Sequence, residues 1–395
     1  MTMRAKIMLA AAAVPALIAA GPAAAAEPFD IPVIVSLTGQ GAFLGSQVHQ
    51  ALQILEKAAN AAGGIHGRPI RMVFHDDQTD PQIAVQIMSD VVAAHPPVVL
   101  GSTLVADCNA MAPLAAHGPV EYCFSPGIHP PAGSYAFTSS TSTLDLAKAL
   151  VRYLRQKGWT KLALVTSTDA TGQDADRGFA EVLADPENKD VSLAAHVHFN
   201  TADVSVAAQM EQIRAANVQA VIAWSTGSPV GTVLRGLIQS GIDLPVGTTG
   251  GNMTYAQMKL LADYLPKEFY FPSAEWPVGG DTKVKLDPGV AAKQKEYYAA
   301  FAAAGVKPDE GSVLGWDPAN LVIDALRALP DGADATQLRD YLLKQTSLPG
   351  VNGVYDFART PQRGLSLDNV VITRWDKSPG EWSVVSEPGG VPLAP

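Results

Sequence analysis

The chain reads as an α/β protein of two doubly wound parallel-sheet lobes. Three features of the sequence lead there. Val- and Ile-rich apolar runs alternate with amphipathic segments, the alternation breaks once and restarts, and the last third supplies helices and then strands that must rejoin sheets already begun. In the first run, residues 31–37 read as a strand and 47–62 as a helix closed by Gly63-Gly64. Strands at 70–75, 97–100 and 120–124 alternate with helices at 81–94 and 106–117, the order of a parallel sheet covered on both faces.

Residues 135–142 interrupt this rhythm with an extended Ala136-Phe137-Thr138 and a Ser/Thr run. The pattern then resumes. Helices are read at 143–157, 173–183, 205–215 and 230–240, and strands at 161–165, 191–198, 220–224 and 245–247. Residues 268–271 are extended. Three helices follow without intervening strands, at 288–304, 312–329 and 335–344, and these complete the earlier lobe. Strands at 353–357, 369–375 and 381–385 close the chain, the last two as a hairpin. Two α/β runs bury two cores. A chain that returns to an earlier lobe crosses between lobes more than once, which makes a hinge over a cleft. The reading divides the chain into a leader at 1–26, a first lobe of 27–140 with 276–349, and a second of 141–275 with 350–395.

The leader is a secretory signal peptide. Arg4 and Lys6 precede an uncharged apolar run at 7–20, and Ala24-Ala25-Ala26 supply small residues before Glu27. The run is shorter than the roughly 20 residues a membrane span needs, and no cysteine stands at the cleavage point for lipidation. Export to the periplasm is the expectation. Without Arg4 and Lys6, 26 basic residues face 38 acidic ones, a formal charge of about −12. That excludes nucleic acid and anionic membranes as partners, since both select basic patches. Cys108 opens a helix and Cys123 ends the next strand. In an oxidising compartment the pair reads as one disulfide bracing a loop; the other reading is two buried free thiols.

Ligands of open parallel sheets sit beyond the carboxyl ends of the strands. Six loops occupy those places: Thr38 to Gly45, Ser102 to Ala106, Ser125 to His129, Ser167 to Asp174, Ser225 to Ser228, and Thr248 to Asn252. They are rich in Gly, Ser and Thr and stand at helix N-termini, where free backbone N–H groups suit a carboxylate or another small anion. Helix capping explains any one of them; six converging on one cleft point to a ligand site.

Thr38-Gly39 through Gly45, Ala61-Ala62-Gly63-Gly64-Ile65-His66-Gly67-Arg68-Pro69-Ile70, and Asp76-Asp77-Gln78-Thr79-Asp80-Pro81 resemble the solute-binding proteins of branched-chain amino-acid ABC transporters, the leucine/isoleucine/valine-type (type I) periplasmic binding proteins. Gly353-Val354-Tyr355-Asp356-Phe357 and Asp368 through Trp375 resemble the C-terminal pattern of the same family. The resemblance covers essentially the whole chain after the leader. It implies a hinge of three crossovers, closure on a small solute, delivery to an inner-membrane ABC permease, a monomer, and no cofactor. The aromatic of the first loop corresponds to Phe43. Amino-acid binders hold the α-carboxylate with hydroxyls after the third and fourth strands, where this chain has Leu104-Val105-Ala106, following Thr103, and Gly127-Ile128-His129. Thr171, before Gly172, stands where the family often has Tyr. Thr226 replaces another Tyr, and no acid stands near Gly250-Gly251-Asn252 to pair a ligand ammonium.

An unpaired ammonium in a closed cleft costs several kcal/mol. The departures therefore point to a small carboxylate with an apolar or aromatic body and no amino group, lying against Leu104, Val105 and Ile128. His129 reads as a hydrogen-bond partner for a phenol or carboxylate or as a rim residue, and Asn252 as a polar contact or a cap. Trp276 sits at a crossover, where it is a candidate to line the cleft, and Trp316 in the core. His196 and His198 share one strand face, but no cysteine or carboxylate lies near them in sequence, so no metal is expected. An enzyme is the competing class, yet no nucleophile elbow, H-E-x-x-H, phosphate-binding loop or strand-linked G-x-G-x-x-G occurs. A ligand sensor is the third class; it would carry a signalling or DNA-binding segment, and none is read here.

Overall fold

The computed structural model describes residues 26–280 and 283–394; nearly all of the expected leader lies outside them. In chain order the strands are β1 (Phe29–Val35), β2 (Ile70–Asp76), β3 (Val98–Leu100), β4 (Val120–Cys123), β5 (Ala136–Thr138), β6 (Lys161–Ser167), β7 (Ser192–Phe199), β8 (Ala220–Trp224), β9 (Val246–Thr248), β10 (Phe269–Ser273), β11 (Leu348–Pro349), β12 (Val354–Tyr355), β13 (Val371–Asp376) and β14 (Glu381–Val384). The helices are α1 (Ala42–Ala61), α2 (Pro81–Ala93), α3 (Val105–Met111), α4 (Thr143–Gln156), α5 (Ala170–Ala184), α6 (Ala207–Ala216), α7 (Ser228–Gln239), α8 (Tyr255–Leu260), α9 (Pro288–Ala303), α10 (Glu310–Ala328) and α11 (Ala335–Leu343).

Two main sheets form, in the orders β2-β1-β3-β4-β5 and β14-β13-β10-β9-β8-β6-β7. The first is parallel throughout. The second is parallel except for β13 and β14, which run antiparallel at one edge. β1 explains the continuous apolar runs. Ile31, Val33 and Val35 face α1 and α10, while Ile34 faces Ala84 and Met88 of α2, so both faces are buried.

The short segment 136–138, read only as extended, is the fifth strand of the first sheet, hydrogen-bonded parallel to β4. From there the chain crosses to α4, whose Leu146, Leu150 and Leu154 pack on Leu164, Ile222 and Tyr270 of the second sheet. After β10 it crosses back, and α9 and α10 pack on α1. A third crossing, through the two-residue strands β11 and β12, leads to β13 and β14. The second and third crossings run side by side: Gln294 Nε2 donates to the carbonyls of both Glu275 (2.8 Å) and Val351 (3.0 Å). Buried Asp317 accepts from Val351 N and Asn352 N, each at 2.8 Å, and from Tyr355 OH at 3.1 Å. α8 and β11 have no counterpart in the sequence reading; both are too short to show a period.

Candidate functional site

The carboxyl ends of the two sheets face each other across one cavity with about 600 Å³ of space free of protein atoms, part of it open to solvent. Thr103, Leu104, Val105, Gly127, Thr171, Thr226, Gly250 and Gly251 line it. A larger groove, of about 1220 Å³, lies beside Trp276 but takes no residue from the strand-end loops. The cavity reached by those loops is the candidate site.

Each loop is held by named contacts. On the first-lobe side, Asp76 accepts hydrogen bonds from the N–H groups of Leu37, Thr38 and Gln78 and from the Thr38 hydroxyl, which fixes the loop after β1. Burial raises the Asp76 carboxyl, but those hydrogen bonds outweigh it and hold it below the usual range. Ser102 Oγ lies 2.6 Å from Asp77 Oδ2 and 3.4 Å from Asp107 Oδ2. Burial, reinforced by the charge of Asp77, pushes the Asp107 carboxyl up. Cys108 and Cys123 are joined, with sulfurs 2.00 Å and Cα atoms 6.0 Å apart. The bridge ties α3 to the end of β4 and packs with Val105 and Ile128.

On the second-lobe side, α5 starts directly at the end of β6. A Cβ on Gly172 would stand 1.7 Å from the Ser167 carbonyl oxygen, so only glycine lets the helix begin there. Asp169 caps it through Gly172 N at 3.0 Å, and this places Thr171 on the cavity wall.

The remaining sequence candidates sit elsewhere. Asn252 does not line the cavity. Its Oδ1 accepts from Gly227 N and its Nδ2 donates to Ser225 O and Thr248 Oγ1, so it fastens the loops after β8 and β9 to each other. Phe43 does not line the cavity; its ring reaches the loop after β8, where a Cβ on Gly227 would come within 2.8 Å of it. Ile128 is buried behind the wall, and its carbonyl accepts from Arg363 at 2.7 Å. Ala106 is half-buried on α3, outside the cavity. His129 is exposed and bridges the lobes, its Nε2 2.6 Å from Asp174 Oδ1. Trp316 packs among Tyr297 and Phe301 in the core.

Several cavity residues escaped the sequence reading. Ser140, Thr141 and Thr143 line it because β5 is a true strand whose end obeys the same rule as the others. The Ser/Thr run after residues 136–138 was the available signal. Trp224, Phe124 and Leu314 complete the apolar wall. Buried Thr103 Oγ1 and Thr141 Oγ1 have no hydrogen-bond partner among the described residues. Glu310, in the first turn of α10, also reaches the cavity. Trp276 Nε1 donates to its Oε2 at 2.6 Å and Ser273 Oγ at 3.3 Å, and burial pushes its carboxyl up to about 7. No acid stands near Gly250, but one arrives from the other lobe through a helix that the sequence reading began two residues later.

A second expectation needs correction. A carboxylate does stand beside His196 and His198: Asp176, from α5, lies 2.8 Å from one ring nitrogen and 3.0 Å from the other. Sequence separation hid a contact that the β6-α5-β7 unit makes in space.

Strand-end loops from two parallel sheets meeting over one cavity define a two-lobed solute-binding protein. The chain belongs to the periplasmic binding protein family, whose model matches residues 28–379, and within it to the branched-chain amino-acid (type I) kind that its motifs resemble. Members of this family are solute-binding receptors that work outside the cytoplasmic membrane, and those of ABC transporters bind a small molecule and a permease. No curated protein matches the chain in sequence. Among solved structures, an extracellular ligand-binding receptor from Rhodopseudomonas palustris HaA2 is 21% identical, with a TM-score of 0.79 over 91% of this chain and 99% of that one. A branched-chain amino-acid binding protein from Streptococcus pneumoniae in complex with isoleucine is 19% identical, with a TM-score of 0.75 over 91% and 99%. An ABC-transporter solute-binding protein from R. palustris in complex with benzoate is 16% identical, with a TM-score of 0.77 over 93% and 97%. At these identities the likeness is one of fold. Among the described residues no helix is long and apolar enough to cross a membrane.

Proposed function

We propose that this protein is the solute-binding component of an ABC importer and carries a small carboxylate with an aromatic or other apolar body and no α-amino group. The observation that carries this reading is the pair of unpartnered buried hydroxyls, Thr103 and Thr141, set into a wall of Leu104, Val105, Phe124, Trp224 and Leu314. No Lys, Arg or His lines the cavity among the described residues. A carboxylate there takes its hydrogen bonds from hydroxyls and from backbone N–H groups at the start of α3 and α5. The apolar body takes the rest of the space, at about 25 cal/mol for each Å² removed from water.

In this account the lobes, 27–140 with 276–349 and 141–275 with 350–395, close over the solute about the three crossings. Residues 1–26 direct export to the periplasm, and the protein acts as a monomer. The fold neighbours bound to benzoate and to isoleucine span the two ligand chemistries at issue.

Glu310 favours a second reading, an α-amino acid such as a branched-chain one. Its carboxyl lies in the cavity wall and, ionised, would pair an ammonium. Under the first reading the same carboxyl stays protonated beside the bound anion, as its raised pKa of about 7 allows.

The test is thermal stabilisation of protein unfolded and refolded to strip carried-over ligand, against aromatic acids, aliphatic acids and branched-chain amino acids. A ligand at a hundred times its Kd adds about 2.7 kcal/mol of stability. The first reading expects shifts from acids lacking an amino group. A shift from leucine or valine alone contradicts it and assigns Glu310 the ammonium.

A further inference from the structure

We propose that Asp176, His196 and His198 form a binding site for a divalent transition-metal ion of the zinc type on the outer edge of the second lobe. β7 is the edge strand of the seven-stranded sheet. Along it Val197 and Phe199 turn into the core while His196 and His198 turn outward. The two imidazoles therefore leave the same face one pleat apart, with ring centroids separated by 4.5 Å. Asp176 comes from α5, the crossover helix between β6 and β7, and places its carboxylate between them. His196 Nε2 lies 2.8 Å from Oδ1 and His198 Nε2 3.0 Å from Oδ2. The three ligand atoms all lie within 4.8 Å of one another.

This donor set is chemically selective. Two imidazole nitrogens with one carboxylate suit zinc and its neighbours in the first transition row, whereas calcium and magnesium prefer oxygen alone. With metal–ligand bonds of 2.0–2.2 Å, tetrahedral donors stand about 3.3 Å apart. The two imidazole–carboxylate separations, 2.8 and 3.0 Å, need to open by only a few tenths of an ångström to admit the ion, and the two imidazole nitrogens lie within 4.8 Å of each other. Outer-shell support is already in place: Thr166 Oγ1 donates to Asp176 Oδ1 at 2.8 Å, fixing the carboxylate from the strand beside β7. The side chains are between a quarter and a half exposed, which gives an ion access and leaves a coordination position for water. The ion would clamp β7 to α5, the helix whose first turn carries Thr171 to the solute cavity.

The experiment is calorimetric titration of tag-free protein with zinc after dialysis against a chelator, for the native chain, His196→Ala/His198→Ala, Asp176→Asn and, as control, His117→Ala at an exposed histidine. The proposal expects one zinc per native chain, unchanged in the control, with affinity reduced at least about tenfold in Asp176→Asn and further in the double variant. No saturable zinc binding by the native chain, or equal affinity in the double variant, overturns it. A readout that needs no variant uses the native chain alone. Zinc is expected to shift the ring-nitrogen NMR signals of His196 and His198 and leave those of His117 in place; shifts spread over all histidines overturn the proposal.

Discussion

The two walls of the solute cavity are held by different physics. The first-lobe wall is pinned by ionisable and covalent devices: the Asp76 clamp on the loop after β1, the Asp77–Ser102–Asp107 cluster behind Thr103, and the Cys108–Cys123 bridge behind Val105. Much of the second-lobe wall is pinned by neutral amides. Asn252 joins Gly227, Ser225 and Thr248, and Gln257 backs it through Gly227 O and Asn252 Oδ1. The first wall therefore responds to redox state and pH, while the Asn252 side does not.

The sharpest way to break that contrast is to remove the bridge. Cys108→Ala/Cys123→Ala is expected to cost about 3 kcal/mol for a loop of this length, measured by denaturant unfolding. Hydrogen exchange should then speed up around α3 and leave the loops after β8 and β9 protected; uniform acceleration would contradict separate anchoring. Next in size, Leu104→Asp places a charge on the apolar wall. It should weaken binding of an apolar acid by about 100-fold, near 2.8 kcal/mol, with the unliganded far-UV spectrum unchanged. Unaltered affinity would remove Leu104 from the contact surface. Asn252→Ala leaves Gly227 N–H without its partner and should cost about 2 kcal/mol, with exchange now faster in the second lobe and unchanged near the bridge.

A separate effect is on pH. Burial pushes the carboxyls of Asp107, Asp309 and Glu310 up, the last two to about 7, so the folded chain keeps protons that the unfolded chain releases near pH 4. Their contribution is fully present below about pH 4 and is lost as pH rises towards 7. Asp76 behaves oppositely: its depressed pKa gives stability that is lost only on acidification below its ordinary range. Denaturant midpoints should thus peak in acidic buffer and fall as pH rises from about 4 to about 7. A rise over that interval would contradict the assignment.

Much of this architecture was legible because buried parallel strands and amphipathic helices leave periodic signals, and because a strand's carboxyl end can be located from the strand alone. That rule found Thr103, Leu104 and Val105 in one wall and Thr171, Thr226 and Gly250 in the other. It failed where the geometry is not local. Thr141 was missed because residues 136–138 read as extended but not as a strand of the first sheet, so their carboxyl end was not among the loops considered. Glu310 was missed because it arrives on a helix returning from the far end of the chain. Asn252 shows the converse: its position is at a strand end, but whether an amide meets solvent, ligand or neighbouring backbone is decided by packing. Asp176 lies 20 residues from His196, a contact that only the folded crossover makes.

The most direct test compares two ligands that differ only by the amino group. Refolded, ligand-free protein would be titrated with isocaproate against leucine and with hydrocinnamate against phenylalanine, in the native chain and in Glu310→Gln. The account expects each acid to bind at least about tenfold more tightly than its amino counterpart, a difference of about 1.4 kcal/mol, and Glu310→Gln to leave that preference intact. Tighter binding of the amino acids, lost in Glu310→Gln, would contradict it and make Glu310 the ammonium's partner.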